Sequence, residues 1–500
     1  MAAVLGAAAA PLVGCGGAAP AVGSAPPGKA AVEAGPACAR QRPGVGPVRA
    51  DAARQGASVQ LARSRGRTLA YVADEDSRAV HVVDVDRGTE LASVPVGGAP
   101  AQLLVLADGR VAVTLRDKNR VAVLEPLDDS GALEARCSVP VSAEPFGLAV
   151  TPDEARLLVT SAIGRTVTAL ETATLRQAFT VPVAREPRAI LVDDDGRRAF
   201  VAHVVGGKMS VIDLAAADHG VRQLDLRVKK VVQAPSRNSA PDRDRGGCQG
   251  FALAKSVSGK EALEPGVGEK PPVTQQVPKK TTPAGVAPSR PGRIFAPMVT
   301  VDPGDPEVRS SQYYGEVIDG VPKEAPVVSV IDANGERALT RAVLSLGQGT
   351  RTERECLLPR SATVRQETGT LLVSCLGIDS IVELDTRGVD PARLERRRWQ
   401  VPAGPTGVAV DEVSHRALVW SQFDGKLTAL DLAGDAAPRP IAVSYRPAKE
   451  VAAIAQGRKL FHAVDDARIS SDGTACASCH PDGREDALTW STPDGPRQTI

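Results

Sequence analysis

A proline-led unit recurs along this chain. Ala99-Pro100 is followed by an apolar run to Leu106 and the turn Asp108-Gly109, and this pattern returns at Glu144-Pro145 with Pro152-Asp153 and at Glu186-Pro187 with Asp195-Gly196. Leu358-Pro359 and Gly404-Pro405 open two more such units. Pro100 to Pro145 spans 45 residues, Pro145 to Pro187 spans 42, and Pro359 to Pro405 spans 46. Proline fixes its own φ and has no N–H to donate, so it suits the first residue of a strand. After it come a turn, a strand such as Arg198–His203, another turn, and a strand ending at aspartate, as at Asp84, Asp213 and Asp431. One such sheet cannot bury its own faces, so the units must stack. Several strands in about 40–45 residues mark a β-propeller blade.

The count follows from the spacing. Pro187 to Pro359 spans 172 residues, but residues 235–292 are rich in Pro, Lys, Gly and Ser and read as an irregular insertion. Two to three units remain there, for about seven blades over residues 55–446. The units resemble those of the YVTN-type propeller family in the strand after Pro and in the strand ending in Val-Ile-Asp. The WD dipeptide of WD40 repeats is absent. The fold class expected is mainly β: an approximately seven-bladed propeller followed by a partial α-helical cytochrome c domain.

That second domain is announced by Cys476-Ala-Ser-Cys479-His480. CxxCH is the attachment signature of c-type haem: two thiols add to the haem vinyl groups, and the histidine becomes the proximal ligand of the iron. A zinc site would need a second ligand pair nearby, and none follows. Upstream, Ala448–Phe461 is Ala-rich and has helical apolar spacing at Val451, Ile454 and Phe461. Gly457 lies one turn from Phe461, which invites a close helix approach there.

Gly457-x-x-Leu460-Phe461, Asp466–Gly473 and Cys476–Gly483 resemble the first haem module of the bacterial di-haem cytochrome c peroxidase and MauG-like family, as do Trp490 and Gly495–Thr499. The likeness covers about fifty residues. It implies Cys476 and Cys479 as thioether cysteines and His480 as proximal ligand, with covalent haem c and its iron as cofactor. The family carries a second haem module and a distal ligand further on. Twenty residues after His480 do not suffice for a closing helix and a distal loop, so the reading is a chain truncated at its C-terminus, with residues 447–500 a partial domain.

The other end carries an address. Val4–Val13 is short and apolar, and Leu12-Val13-Gly14-Cys15 fits a lipobox, although no Lys or Arg precedes Lys29. Residues 1–15 therefore read as a signal with lipidation at Cys15, and 16–54 as a flexible Ala/Gly/Pro linker. Covalent haem attachment outside the bacterial cytoplasm points to the periplasm or cell envelope. Apart from Cys15, Cys476 and Cys479, five cysteines remain: Cys38, Cys137, Cys248, Cys356 and Cys375. An odd number leaves one free or paired between chains, and Cys356 with Cys375, within one blade, form the expected disulfide.

With 60 basic and 59 acidic residues there is no electrostatic case for nucleic acid, and membrane contact is expected only through the lipid anchor. His203 reads as a satisfied strand histidine, His462 as a solvent-facing one rather than a distal haem ligand, Asp193–Gly196 as a turn rather than a calcium loop, and Tyr313, Tyr314 and Trp420 as packing residues. No catalytic set can be assigned. Three functions follow: an exported c-type cytochrome whose propeller docks a redox partner protein or small electron donor; the N-terminal part of a di-haem peroxidase or MauG-like oxidoreductase, which alone would make it an enzyme; and a surface-anchored propeller scaffold.

Overall fold

The computed structural model describes residues 38–42, 46–50, 54–227, 229–231, 248–256, 292–301, 303, 324–339, 342–344, 355–386, 391–445, 452–470 and 473–499. Seven antiparallel sheets of four or five strands follow one another along the chain. They are the blades of a seven-bladed β-propeller. Blade 1 runs from Val59–Ser64 to Thr89–Pro95 and blade 2 from Pro100–Val105 to Leu133–Pro140. Blade 3 runs from Pro145–Val150 to Gln177–Pro182, blade 4 from Pro187–Val192 to Val221–Asp225. Blade 6 runs from Pro359–Arg365 to Glu395–Gln400, blade 7 from Pro405–Asp411 to Arg439–Ile441.

Each repeat proline is the first residue of an innermost strand, and the register slips just after it in blades 2, 3, 4, 6 and 7. The residue before it adopts positive φ in four cases: Glu144, Glu186, Leu358 and Gly404. Together they bend the chain from one blade into the axis of the next. Blade 5 departs from the pattern. Its long strands are Arg293–Val301 and Glu324–Asp332, and its inner edge comes from Cys248–Gln249 and Ala254–Lys255. Part of the segment expected as an insertion is therefore sheet.

Inner strands are buried on both faces, as in Val111–Leu115, whereas outermost strands alternate, as in Thr89–Pro95. The cause is stacking: apolar clusters fill all seven junctions between neighbouring blades. Blade 7 meets blade 1 through Trp420, Leu418 and Leu427 against Leu61, Val72 and Val83. Ion pairs Arg63–Asp411 and Arg416–Asp86 span the same junction. Among the described residues no strand of one end completes the sheet of the other; the ring closes by packing.

The end of the expected linker is tied down. Val48–Arg49 pairs with Ala62 and Arg63, and Cys38 is disulfide-bonded to Cys137, with Cα atoms 5.7 Å apart. Residues 54–57 run beside the innermost strands of blades 2 and 3 and exchange backbone hydrogen bonds with Leu103, Leu148 and Val150. Cys15, Tyr313 and Tyr314 lie outside the described residues, as does the side chain of Cys248.

After residue 446 the described helices are α1, Ala452–His462, and α2, Cys476–Cys479. They do not build a helical core of their own. Val464, Ala475, Ala477 and Trp490 instead share a cluster with Val299, Val301, Leu357 and Leu376 of the propeller. A Cβ at Gly377 would lie 2.7 Å from Val464, so only glycine admits this approach. Nothing lies within 4 Å of a Cβ built at Gly457, so the close helix contact expected there is not made among the described residues. No helix among the described residues is long and apolar enough to cross a membrane.

Candidate functional site

The CxxCH segment forms a single helical turn. His480 ends it, its backbone N–H donating to Cys476 O at 2.9 Å. The Cys476 thiol is exposed, that of Cys479 is partly exposed, and neither is in a disulfide. The His480 side chain is half-buried, and its ring makes no hydrogen bond among the described residues. Among those residues no cluster of three His, Cys, Asp or Glu side chains could hold a metal ion. Two reachable thiols three residues apart, beside an imidazole without a partner, are the donor set that a covalent haem requires.

What holds this turn against the propeller is the residue pair that follows. Asp482 sits in the left-handed region, φ 53°, and points its carboxylate into the propeller mouth. Arg188 of blade 4 donates to it at 3.0 Å and Arg360 of blade 6 at 2.8 Å. Burial by itself raises this carboxyl, but Arg360, Arg188 and Arg116 outweigh it and hold it well below the usual carboxylate range. Arg484 then reaches back to Glu144 at 2.5 Å and Glu186 at 2.8 Å. On blades 1 and 7, α1 is fixed by Arg458–Asp76 at 2.9 Å and Lys459–Asp424 at 2.6 Å.

Phenylalanines support the guanidinium groups. Arg360 stacks 3.7 Å above the Phe251 ring, Arg188 lies 5.1 Å from the Phe146 ring, and Arg458 lies 4.8 Å from Phe423. Beneath them a cavity of about 360 Å³ opens between the mouth and the helical segment. Glu75 lines it, its carboxyl pushed up by burial against the opposing pull of Arg116. His462 lines it too, which corrects the solvent-facing expectation. Burial and then the nearby Arg360 lower its imidazole to about 4, so it is neutral at pH 7.

The other expected residues are placed as follows. Cys356 and Cys375 are disulfide-bonded, with Cα atoms 5.0 Å apart. His203 is buried and satisfied by Arg185 O and Ser210 Oγ, both at 2.8 Å. Asp193 binds Arg198 at 2.8 Å inside a strand-connecting turn, and Trp420 is wholly buried between blades. Arg188, Arg360 and Asp482 were missed. For the two arginines a signal lay in the repeat itself: the position after each proline holds Ala101, Phe146, Arg188, Arg360 and Thr406, so two of five units carry a cation there.

The sequence matches no protein-family model and no curated protein. Solved structures supply the likeness. Hydrazine synthase of Kuenenia stuttgartiensis superposes with a TM-score of 0.51 at 13% identity, over 73% of this chain and 93% of that one. This shows the propeller fold. Virginiamycin B lyase from Staphylococcus aureus matches with a TM-score of 0.43 at 9% identity, covering 79% of this chain and 98% of that one. The dihydro-heme d1 dehydrogenase NirN, in complex with DHE, matches at 0.38 and 17% identity, over 75% and 73% of the two chains.

Proposed function

We propose that this chain is an exported c-type haem protein that uses its propeller as the platform for a haem-bearing segment. Cys476 and Cys479 would hold the haem by thioether bonds and His480 would supply the proximal nitrogen. The observation that carries this reading is the CxxCH turn itself, with neither cysteine in a disulfide and the imidazole without a hydrogen bond among the described residues, docked on the propeller through Asp482. The resemblance to the di-haem peroxidase and MauG-like module, and of the repeats to YVTN-type propellers, supports it. Haem, when bound, supplies one-electron transfer at its iron. The chain's own part is positional: Asp482 and Arg484 fix the turn, α1 is pinned through Arg458 and Lys459, and the rigid ring presents both to a redox partner. Export to the cell envelope, with lipidation at Cys15, belongs to the same proposal.

Expression with the haem-maturation machinery of a Gram-negative periplasm tests it. A haem-stained band should survive a denaturing gel and vanish in the Cys476→Ala/Cys479→Ala variant. A band that persists in the variant, or none in the parent, overturns the assignment.

A further inference from the structure

The chain has seven phenylalanines, and Phe146, Phe251, Phe423 and Phe461 line the same cavity between the propeller mouth and α1. Only 3% of the residues are aromatic, so this concentration is not what an average core position delivers. The cavity, about 360 Å³, is within the range of small-molecule sites, about 300–1,000 Å³.

One polar atom there lacks a partner among the described residues. His462 Nδ1 lies 2.8 Å from Arg458 O, and a carbonyl only accepts, so Nδ1 carries the proton and Nε2 presents a lone pair. That Nε2 has no partner among the described residues. One unused acceptor thus shares an aromatic-lined space. The ionic groups around it are mutually paired: Arg360 with Asp482, Arg458 with Asp76, Arg116 with Glu75. Nothing there calls for a ligand charge.

We propose that this cavity binds a small phenolic compound, its ring among the four phenylalanines and its hydroxyl donating to His462 Nε2. A phenolic hydroxyl brings a donor hydrogen on a neutral aromatic ring, which matches the unused acceptor and the uncharged requirement. An aromatic face also suits walls whose rings already engage guanidinium groups, since offset and edge contacts add to burial. The inference does not rest on the haem reading, because every group it uses belongs to the folded chain.

Isothermal titration calorimetry of the full chain, with and without attached haem, tests it with phenol, anisole and cyclohexanol. Phenol should bind saturably at one site. Anisole keeps the ring but cannot donate, and cyclohexanol keeps the hydroxyl but not the aromatic face; each should bind roughly fivefold more weakly or worse. His462→Phe should weaken phenol by a similar factor and leave anisole unchanged. Ala101→Phe, which fills the cavity from blade 2, should abolish binding of all three, with Thr406→Phe as the replacement if circular dichroism shows the first variant misfolded. Absence of saturable phenol binding overturns the proposal. So does anisole or cyclohexanol equal to phenol, or undiminished binding in the filled variant. Phenol binding to chain that takes up no haem would separate this site from the haem assignment.

Discussion

Asp482→Asn keeps the shape of the side chain that joins the CxxCH turn to the propeller and removes its charge. The consequences for its three guanidinium neighbours differ. Arg188 retains Glu186 at 3.0 Å, and Arg116 retains Glu144 at 2.6 Å and Glu75 at 3.2 Å. Arg360 has no other carboxylate among the described residues and loses its only anion. Deleting one member of a buried pair typically costs about 3–5 kcal/mol. Asparagine still accepts one hydrogen bond, so the lower end applies: about 3 kcal/mol, or about a hundredfold in an opening equilibrium. The seven interblade clusters contain no residue beyond Ile441 among their buried members, so the loss falls on docking of residues 473–492 rather than on the ring. Hydrogen exchange at the amides of Ser478, His480 and Gly483, each bonded within the turn, should accelerate about a hundredfold, while protection in blades 2 and 3 stays unchanged. Acid should not mimic the variant at moderate pH. The folded carboxyl is held below its ordinary value, so its stabilisation is present above the unfolded value of about 3.9 and is lost only as pH falls through the folded one. Exchange in the turn within threefold of the parent would refute the argument that this carboxylate docks the segment.

Two further outcomes follow from the junction of blades 7 and 1. His81 is fully buried between Asp74 at 3.0 Å and Glu90 at 2.8 Å; burial lowers its pKa, but bonds to both carboxylates outweigh this and raise it above 6.5. Its contribution is therefore complete below about pH 6.5 and is lost as pH rises through the folded value, so the melting temperature should fall with rising pH in the parent, and His81→Gln should flatten that slope. Trp420→Ala should destabilise the fold by about 3–5 kcal/mol in urea titration, because a fully buried indole leaves a cavity at the one junction joining the two ends of the ring.

Much of the architecture was legible because the repeat prolines coincide with the innermost strands: a residue without an N–H must begin a strand there, and five such prolines locate five blades. Blade 5 was not legible. Its inner edge is two strands of two residues each, Cys248–Gln249 and Ala254–Lys255, too short for any periodicity and set within a Pro/Lys-rich stretch. Val48–Arg49 was hidden the same way, since an Ala/Gly/Pro-rich composition says nothing about a pairing with residues 62 and 63. Nor could Cys38 be matched to Cys137, 99 residues away, from cysteine counting. At the site, the CxxCH spacing named Cys476, Cys479 and His480 directly. Asp482 could not be singled out, because its partners, Arg188 and Arg360, lie 294 and 122 residues off.

The last junction of the ring and the helical segment share one carboxylate. Gln422 of blade 7 donates to Asp74 at 2.9 Å and to Asp76 at 2.8 Å, both of blade 1, and its amide oxygen accepts from the Trp420 indole. Asp76 also accepts from Tyr445 at 3.0 Å and from Arg458 of α1 at 2.9 Å. A ring closed by packing alone leaves its first and last blades free to part, as no shared sheet resists it. Here α1 contributes a cation to the carboxylate that bridges them, so docking the segment and closing the ring stabilise each other by the same free energy, whichever is perturbed first. The segment that carries the CxxCH turn is therefore attached at two places of different kind: at Asp482 to blades 4 and 6, and at Arg458 to the seam between blades 7 and 1. Two anchors on different blades fix its orientation as well as its position, which one anchor could not do.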